Sequence, residues 1–372
     1  MSRKIYPLFI LIILLISSAL AQADSVEYRF RINYRIENRG IESITVTESY
    51  ISVIEFPDDE YQTVAITESS HEIVGQVLDD DNNVFQIIDT DMEILAGSNI
   101  SFFTEYTAQS KSKTRPDLSA DDSGLISDIP EAYIDEYCVE TETFNWTDTI
   151  GELAVELTGN ITSVYGVTTS LVDWINENIR YENFERPLYP IETHSKREGD
   201  CDDQAILLIS MLRSLGVPAF LQVGVVFHDS IEGEKTVWDG HLNSTQKGIG
   251  WHGWAMVYTP PWGWIPVDLT MVDSQNPEDA MFLAPQYYSN ILKAYDVSEQ
   301  AYIGDGIEEM TTIISGDIYV TVEDIVLSTP MIEGLGWMGI LAIAVGALAI
   351  ASIGYLIYAV MLKPRFKQEF IE

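Results

Sequence analysis

The chain has 372 residues and only two cysteines, and one of them stands in an unusual place. The stretch "KREGDCDDQAILL", residues 196–208, sets Cys201 between Asp200 and Asp202, just ahead of an apolar run. Thiolate is the reactive form of cysteine, and adjacent carboxylates disfavour it. A reactive Cys201 therefore needs a cationic partner, and five histidines are available, at 71, 194, 228, 241 and 252. His71 falls in strand-like sequence, His194 in the polar approach to Cys201. His228 and His241 flank a polar stretch, Asp229–Gly240, that reads as a loop. His252 is different. It lies in "GWHGWAMVYTPPWGWIPVDLT", where two apolar strand-like runs, Trp251–Tyr258 and Trp264–Thr270, are joined by a Pro-Pro-Trp-Gly turn. Antiparallel partners share a constant index sum, and a turn centred on residue 260 sets His252 opposite Asp268. Cross-strand Cβ atoms lie about 5 Å apart, close enough for a carboxylate to orient an imidazole. A buried aspartate needs such a partner. Cys201 would then attack an acyl carbon, His252 would take and return the proton, and Asp268 would fix the imidazole tautomer. The same residues also fit a packed thiol and a His–Asp staple in a hairpin. A Cys138–Cys201 disulfide is a third use of the thiol.

The elements that must place these groups are legible. Gly199-Asp200 offers a helix cap, Asp202 and Asp203 suit the first turn, and Gly216 and Pro218 end a helix over 201–215. Cys201, Ala205, Leu208 and Leu212 fall on one side of it, which turns the thiol inward and leaves the aspartates to solvent. Free N–H groups at the helix start favour a thiolate. Thr149–Leu157 and Val167–Ile179 also have helical spacing.

Three blocks together resemble the transglutaminase-like superfamily, in its microbial, archaeal-like, membrane-anchored cysteine-protease type. "GDCDDQAILLISMLRSLGVPA" resembles the nucleophile helix; "WHGWAMVY" and "WIPVDLT" resemble the histidine and aspartate strands. The resemblance covers roughly residues 148–275 and places Cys201, His252 and Asp268 in the catalytic positions. It implies an α+β fold with a papain-like core, a nucleophile helix packed on an antiparallel sheet, and acyl transfer through a thioester with no cofactor or metal. "YPIET", residues 189–193, resembles the segment ahead of the nucleophile. By that likeness Tyr189 lines the oxyanion site, beside the plainer reading of a packing tyrosine. Hydrolysis of peptide or isopeptide bonds, transfer to an amine, and a non-catalytic envelope-binding scaffold are the functions this leaves open.

Around this core the chain divides by composition. Residues 1–23 have a basic start, an apolar middle and an A-x-A site, as in a signal peptide, with an uncleaved anchor as the alternative. Residues 335–362 carry no charge and exceed the ~20 residues that cross a bilayer. The basic residues that follow keep the 363–372 tail on the cytoplasmic side. A type I single-pass protein with its bulk outside the cell is expected, acting on a protein or peptide at the cell envelope. Without the two flanking segments' charges, 56 acidic residues stand against 15 basic, a surface that repels nucleic acid. Residues 24–115 read as an antiparallel β-sandwich, 116–147 as a linker, 148–300 as the catalytic domain, and 301–334 as a strand-like spacer. Within the sandwich, the DDDNN run at 79–83 reads as a solvated turn or a calcium loop.

Overall fold

Alternation in "SVEYRFRINYRIEN" is what a half-buried strand requires, and β1 (Ser25–Asn38) buries Tyr28, Phe30, Ile32 and Ile36 on one face. The computed structural model describes residues 25–328 apart from 92, 273 and 274, so the leader and the 335–362 run lie outside the described residues. No helix among the described residues is long and apolar enough to cross a membrane. After β1 come β2 (Ser52–Ile54), β3 (Gln62–Ser69), β4 (Ile73–Leu78), β5 (Val84–Ile88) and β6 (Asn99–Lys111). Helices α1 (Asp148–Thr158), α2 (Val164–Asn178), α3 (Pro190–Lys196) and α4 (Cys201–Ser214) follow. The chain then forms β7 (Ala219–Val237), β8 (Leu242–Thr259), β9 (Gly263–Val267), β10 (Ile291–Val297), α5 (Tyr302–Ser315) and β11 (Ile318–Ser328).

One sheet runs through both halves in the order β10-β7-β8-β11-β1-β6-β3, with β9 paired to β8. The pivot is β11. It pairs antiparallel with β1 and parallel with the first part of β8, welding the N-terminal strands to the hairpin region. A second sheet, β2-β5-β4, covers the N-terminal part and buries Ile36, Val53, Ile88 and Phe102 between the layers. The strands of 25–111 thus share a sheet with those of 219–297. From Val26 on, the described residues form one compact body.

The 301–334 spacer is corrected most sharply. Of its described residues, Tyr302–Ser315 form α5 and Ile318–Ser328 a strand inside the sheet. Thr311–Leu327 is rich in β-branched residues, but the helix keeps its apolar positions at helical spacing and buries Ile303 and Ile313. The 116–147 linker is packed too: Leu118, Ile129 and Phe144 enter the main core, and the Gly124 N–H donates to the Pro260 carbonyl at 2.7 Å. The polar 229–240 stretch is strand as far as Val237, pairing with Leu242–Lys247 as an exposed ribbon. Exposure on both faces removed the hydrophobic alternation by which strands are recognised.

In the DDDNN run Asp80 and Asn82 are exposed, as a solvated turn requires, while Asp79 and Asp81 turn to the backbone. Asp79 accepts the N–H groups of Asp81 and Asn83, while Asp81 accepts those of Ser298, Glu299 and Gln300 at 2.8–3.2 Å. It clasps the turn that leads into α5. The main core lies on the other side of the large sheet, where Leu221, Val223, Ala255, Val257 and Val267 meet α2 and α4. Every residue of α4 from Asp203 to Arg213 is buried. This corrects the two-sided helix expected from spacing. A helix enclosed by α1, α2 and α3 and by the sheet has no solvent side, and each fully buried aliphatic there stabilises by about 1.5–3 kcal/mol.

Candidate active site

Cys201 is the first residue of α4, and Asp200 is its N-cap. The chain reaches that start by a close crossing with α3. A Cβ at Gly199 would lie 2.8 Å from Asp203 Cβ and 3.0 Å from Thr193 Cγ2, so only glycine fits ahead of the cap. Opposite, β8 brings its own glycine against the helix. A Cβ at Gly253 would stand 3.1 Å from Asp202 Cβ, and the Gly253 N–H points at the Cys201 sulfur. The cysteine thus meets the backbone of the residue next to His252. Its thiol bonds the Asp202 carboxylate at 3.9 Å and not the His252 ring. Both cysteines are free, so no disulfide joins Cys138 to Cys201.

His252 and Asp268 are together. His252 Nε2 lies 2.7 Å from Asp268 Oδ2, and both residues are buried. The register differs from the one expected. Ala255 pairs with Val267 and Thr259 with Gly263, so the turn is centred one residue later and Asp268 continues opposite Trp254. His252 is its diagonal neighbour on the same face, a separation that a long side chain spans. An ionised carboxylate only accepts, so the shared proton belongs to Nε2 and Nδ1 is left as the acceptor. Among the described residues the ring's one hydrogen bond is that of Nε2 to Asp268.

Asp268 is densely held. Its Oδ1 accepts the N–H groups of Thr270 and Met271 at 3.1 and 3.0 Å, and Oδ2 also accepts Gln286 Nε2 at 2.7 Å. Burial alone would raise its pKa, but the His252 charge and these hydrogen bonds overcome that and lower it. The acidic residues around Cys201 have the opposite balance. Burial, then Asp202, pushes Asp203 up to about 7; burial and the Asp202 carboxylate push Asp200 to about 10. Burial, then Asp202 and Asp200, raises the Cys201 thiol well above its ordinary value. The expectation that the aspartates face water is corrected for Asp203, whereas Asp200 and Asp202 are half-buried. Asp203 is fully buried and accepts the Leu188 N–H at 2.6 Å and the Asp200 N–H at 3.2 Å. It is spent on fixing the loop before α3 and the cap of α4. Ligand atoms of Asp200, Cys201 and Asp202 fall within 4.8 Å of one another.

Tyr189, which the likeness set at the oxyanion site, lies at the start of α3. It caps α3, and its hydroxyl donates to Glu142. Three tyrosines that the sequence did not single out do approach the cysteine. Tyr302 donates to Asp202 Oδ2 at 3.1 Å, and Tyr181 and Tyr295 share the charge field of Cys201 and Asp202. Gln286 was also missed; it follows Asp268 by 18 residues in a segment with no periodicity. Of the four tryptophans near the hairpin, Trp254 is core, whereas Trp262 and Trp264 line a cavity of about 530 Å³ together with Gln286, Tyr287 and Lys113.

Residues 151–269 match the family model described as the transglutaminase-like superfamily. Among solved structures, a candidate cysteine protease from Cytophaga hutchinsonii is similar over 82% of this chain and 92% of that one, with TM-score 0.51 and 16% identity. That degree of likeness speaks for the fold. A red sea bream transglutaminase aligns over 68% of this chain and 48% of that one at 11% identity, and its TM-score of 0.30 carries no argument. No curated protein matches the chain.

Proposed function

We propose that the transglutaminase-like domain carried by residues 151–269 is a thiol acyl-transfer enzyme in which Cys201, His252 and Asp268 do the chemistry. One observation carries the reading: a His252–Asp268 pair joined through Nε2, on the strand whose next residue, Gly253, directs its N–H to the Cys201 sulfur. The half-buried thiol is flanked by carboxylates that disfavour the thiolate, so in this reading its proton passes to His252 as it attacks. His252 Nδ1 takes the Sγ proton as the sulfur bonds to the acyl carbon. The imidazolium, stabilised by Asp268, then protonates the departing nitrogen as the C–N bond breaks and a thioester remains. Water or an amine, losing its proton to His252, attacks the thioester carbon and frees Cys201.

Peptide or isopeptide hydrolysis at the cell surface is the favoured outcome. The chain would be held by its 335–362 span, with its acidic bulk outside and a protein or peptide of the envelope as substrate. Amine transfer by the same thioester is the second outcome. Incubating the protein with a glutamine-containing protein and a labelled amine separates the two. Free products without label are expected. Label incorporated into protein would replace hydrolysis by cross-linking, and no reaction in either channel would remove the enzyme reading.

A further inference from the structure

We infer that Gln286 is a positioning residue of this site, holding the Asp268 carboxylate in the rotamer that orients His252; the inference rests on the role proposed for that pair. The four hydrogen bonds on Asp268 are not equivalent. Oδ1 is held by Thr270 and Met271, which belong to the turn directly after Asp268 itself. Oδ2 is held by His252 and Gln286, each at 2.7 Å. Among the described residues Gln286 is thus the one anchor of Oδ2 that is independent of the ring to be oriented. Without it, the carboxylate and the imidazole would be free to reorient together.

The chemistry requires donation by the glutamine amide, since an ionised carboxylate offers no proton. The anchor is itself fixed. Gln286 is buried in the turn Pro285–Tyr287, and the Tyr287 carbonyl accepts the Lys113 N–H at 2.8 Å. Stability alone does not account for a glutamine here. Its Oε1 is buried without a hydrogen-bond partner among the described residues, an arrangement that an apolar side chain of similar length would avoid. What the apolar side chain would lose is the donor to Asp268. Gln286 also lies outside the 151–269 region that carries the family likeness.

The test compares the wild type with Gln286→Met, Gln286→Glu and His252→Ala. The readout is the rate of alkylation of Cys201 by iodoacetamide from mildly acidic to alkaline pH, with adducts at Cys201 and Cys138 separated by peptide mapping. Circular dichroism establishes that each variant is folded. Gln286→Met should slow Cys201 alkylation about tenfold at every pH, the scale of a lost hydrogen bond to a charged group. Gln286→Glu should react like the wild type in acid, where its protonated carboxyl still donates to Asp268. Its rate relative to wild type should fall to the Met level as it ionises. A side chain that only packs would not produce that pH-dependent rescue. A Gln286→Met rate within about twofold of wild type, or a flat Gln286→Glu ratio, overturns the inference while a slow His252→Ala leaves the Cys201–His252 reading standing. Wild-type alkylation in His252→Ala overturns both.

Discussion

The start of α4 and the β8–β9 hairpin face each other across a few ångströms and solve opposite electrostatic problems. On the hairpin, one buried carboxylate receives four hydrogen bonds and is held ionised. At the helix start, three carboxylates crowd one thiol, and the burial that excludes water raises Asp200, Asp203 and Cys201 together. One region is satisfied and rigid; the other retains its protons and a buried Asp200 Oδ1 with no partner among the described residues. The contrast assigns the division of labour. A thiol in such surroundings does not ionise unaided, so the reactive state has to be supplied by the satisfied partner.

The sharpest way to break this comparison is to spoil the satisfied side. Asp268→Asn keeps the shape but offers His252 Nε2 a side chain that does not fix its tautomer. Turnover should fall on the order of a thousandfold with the fold intact by circular dichroism. A loss below tenfold would mean that the pair is only a staple. The next largest effect concerns the contact between the regions. Gly253→Ala puts a methyl 3.1 Å from Asp202 Cβ and 3.4 Å from Asp202 Cα, which pushes the helix start away from β8. Alkylation of Cys201 should slow about tenfold and stability drop by about 1–3 kcal/mol, the cost typical of overpacking. Unchanged labelling and melting would show that the approach has slack.

The pH dependence of stability separates the regions by sign. Asp200 and Asp203 have folded-state pKa values above the unfolded value of about 3.9, so the stability they contribute is lost as pH rises through the folded values, about 7 for Asp203 and about 10 for Asp200. Asp324, raised to about 7 by burial, acts in the same direction. Asp268 is lowered, so its contribution is present above about 3.9 and lost below it. Urea unfolding should therefore show greater stability at mildly acidic than at alkaline pH, by roughly 1–3 kcal/mol, and Asp203→Asn should flatten the slope. A flat wild-type profile would contradict the charge crowding at the helix start. The smallest effect is expected from Tyr302→Phe, which removes one hydrogen bond to Asp202 at a cost of about 0.5–1.5 kcal/mol in the same unfolding measurement.

Much of this site was legible before the fold. The glycine, aspartate and Gly216–Pro218 signals bounded α4 almost to the residue, because caps and stops are local chemistry. His252 and Asp268 could be paired because a hairpin makes distant residues arithmetically close, although the turn lies one residue away from the centre assumed. What could not be read depends on three-dimensional enclosure. Spacing placed Asp203 on a solvent face, but α3 closes over it at the helix start. The end of α5 reads as strand because Thr311, Thr312, Ile313 and Ile314 are β-branched, and tertiary packing decides otherwise. Gln286 and Tyr302 carry no pattern and reach the site only through long-range packing. The parallel pairing of β8 with β11, which unites the halves of the sheet, has no local signature either.

The central claim is that Cys201 forms a covalent acyl intermediate through His252. Intact-mass spectrometry and peptide mapping after brief exposure to p-nitrophenyl acetate test it directly, with His252→Ala alongside. The account predicts an acetyl adduct on Cys201 in the wild type and little or none in the variant, with Cys138 unmodified in both. An adduct that forms on Cys201 equally well without His252, or none on Cys201 at all, would contradict it.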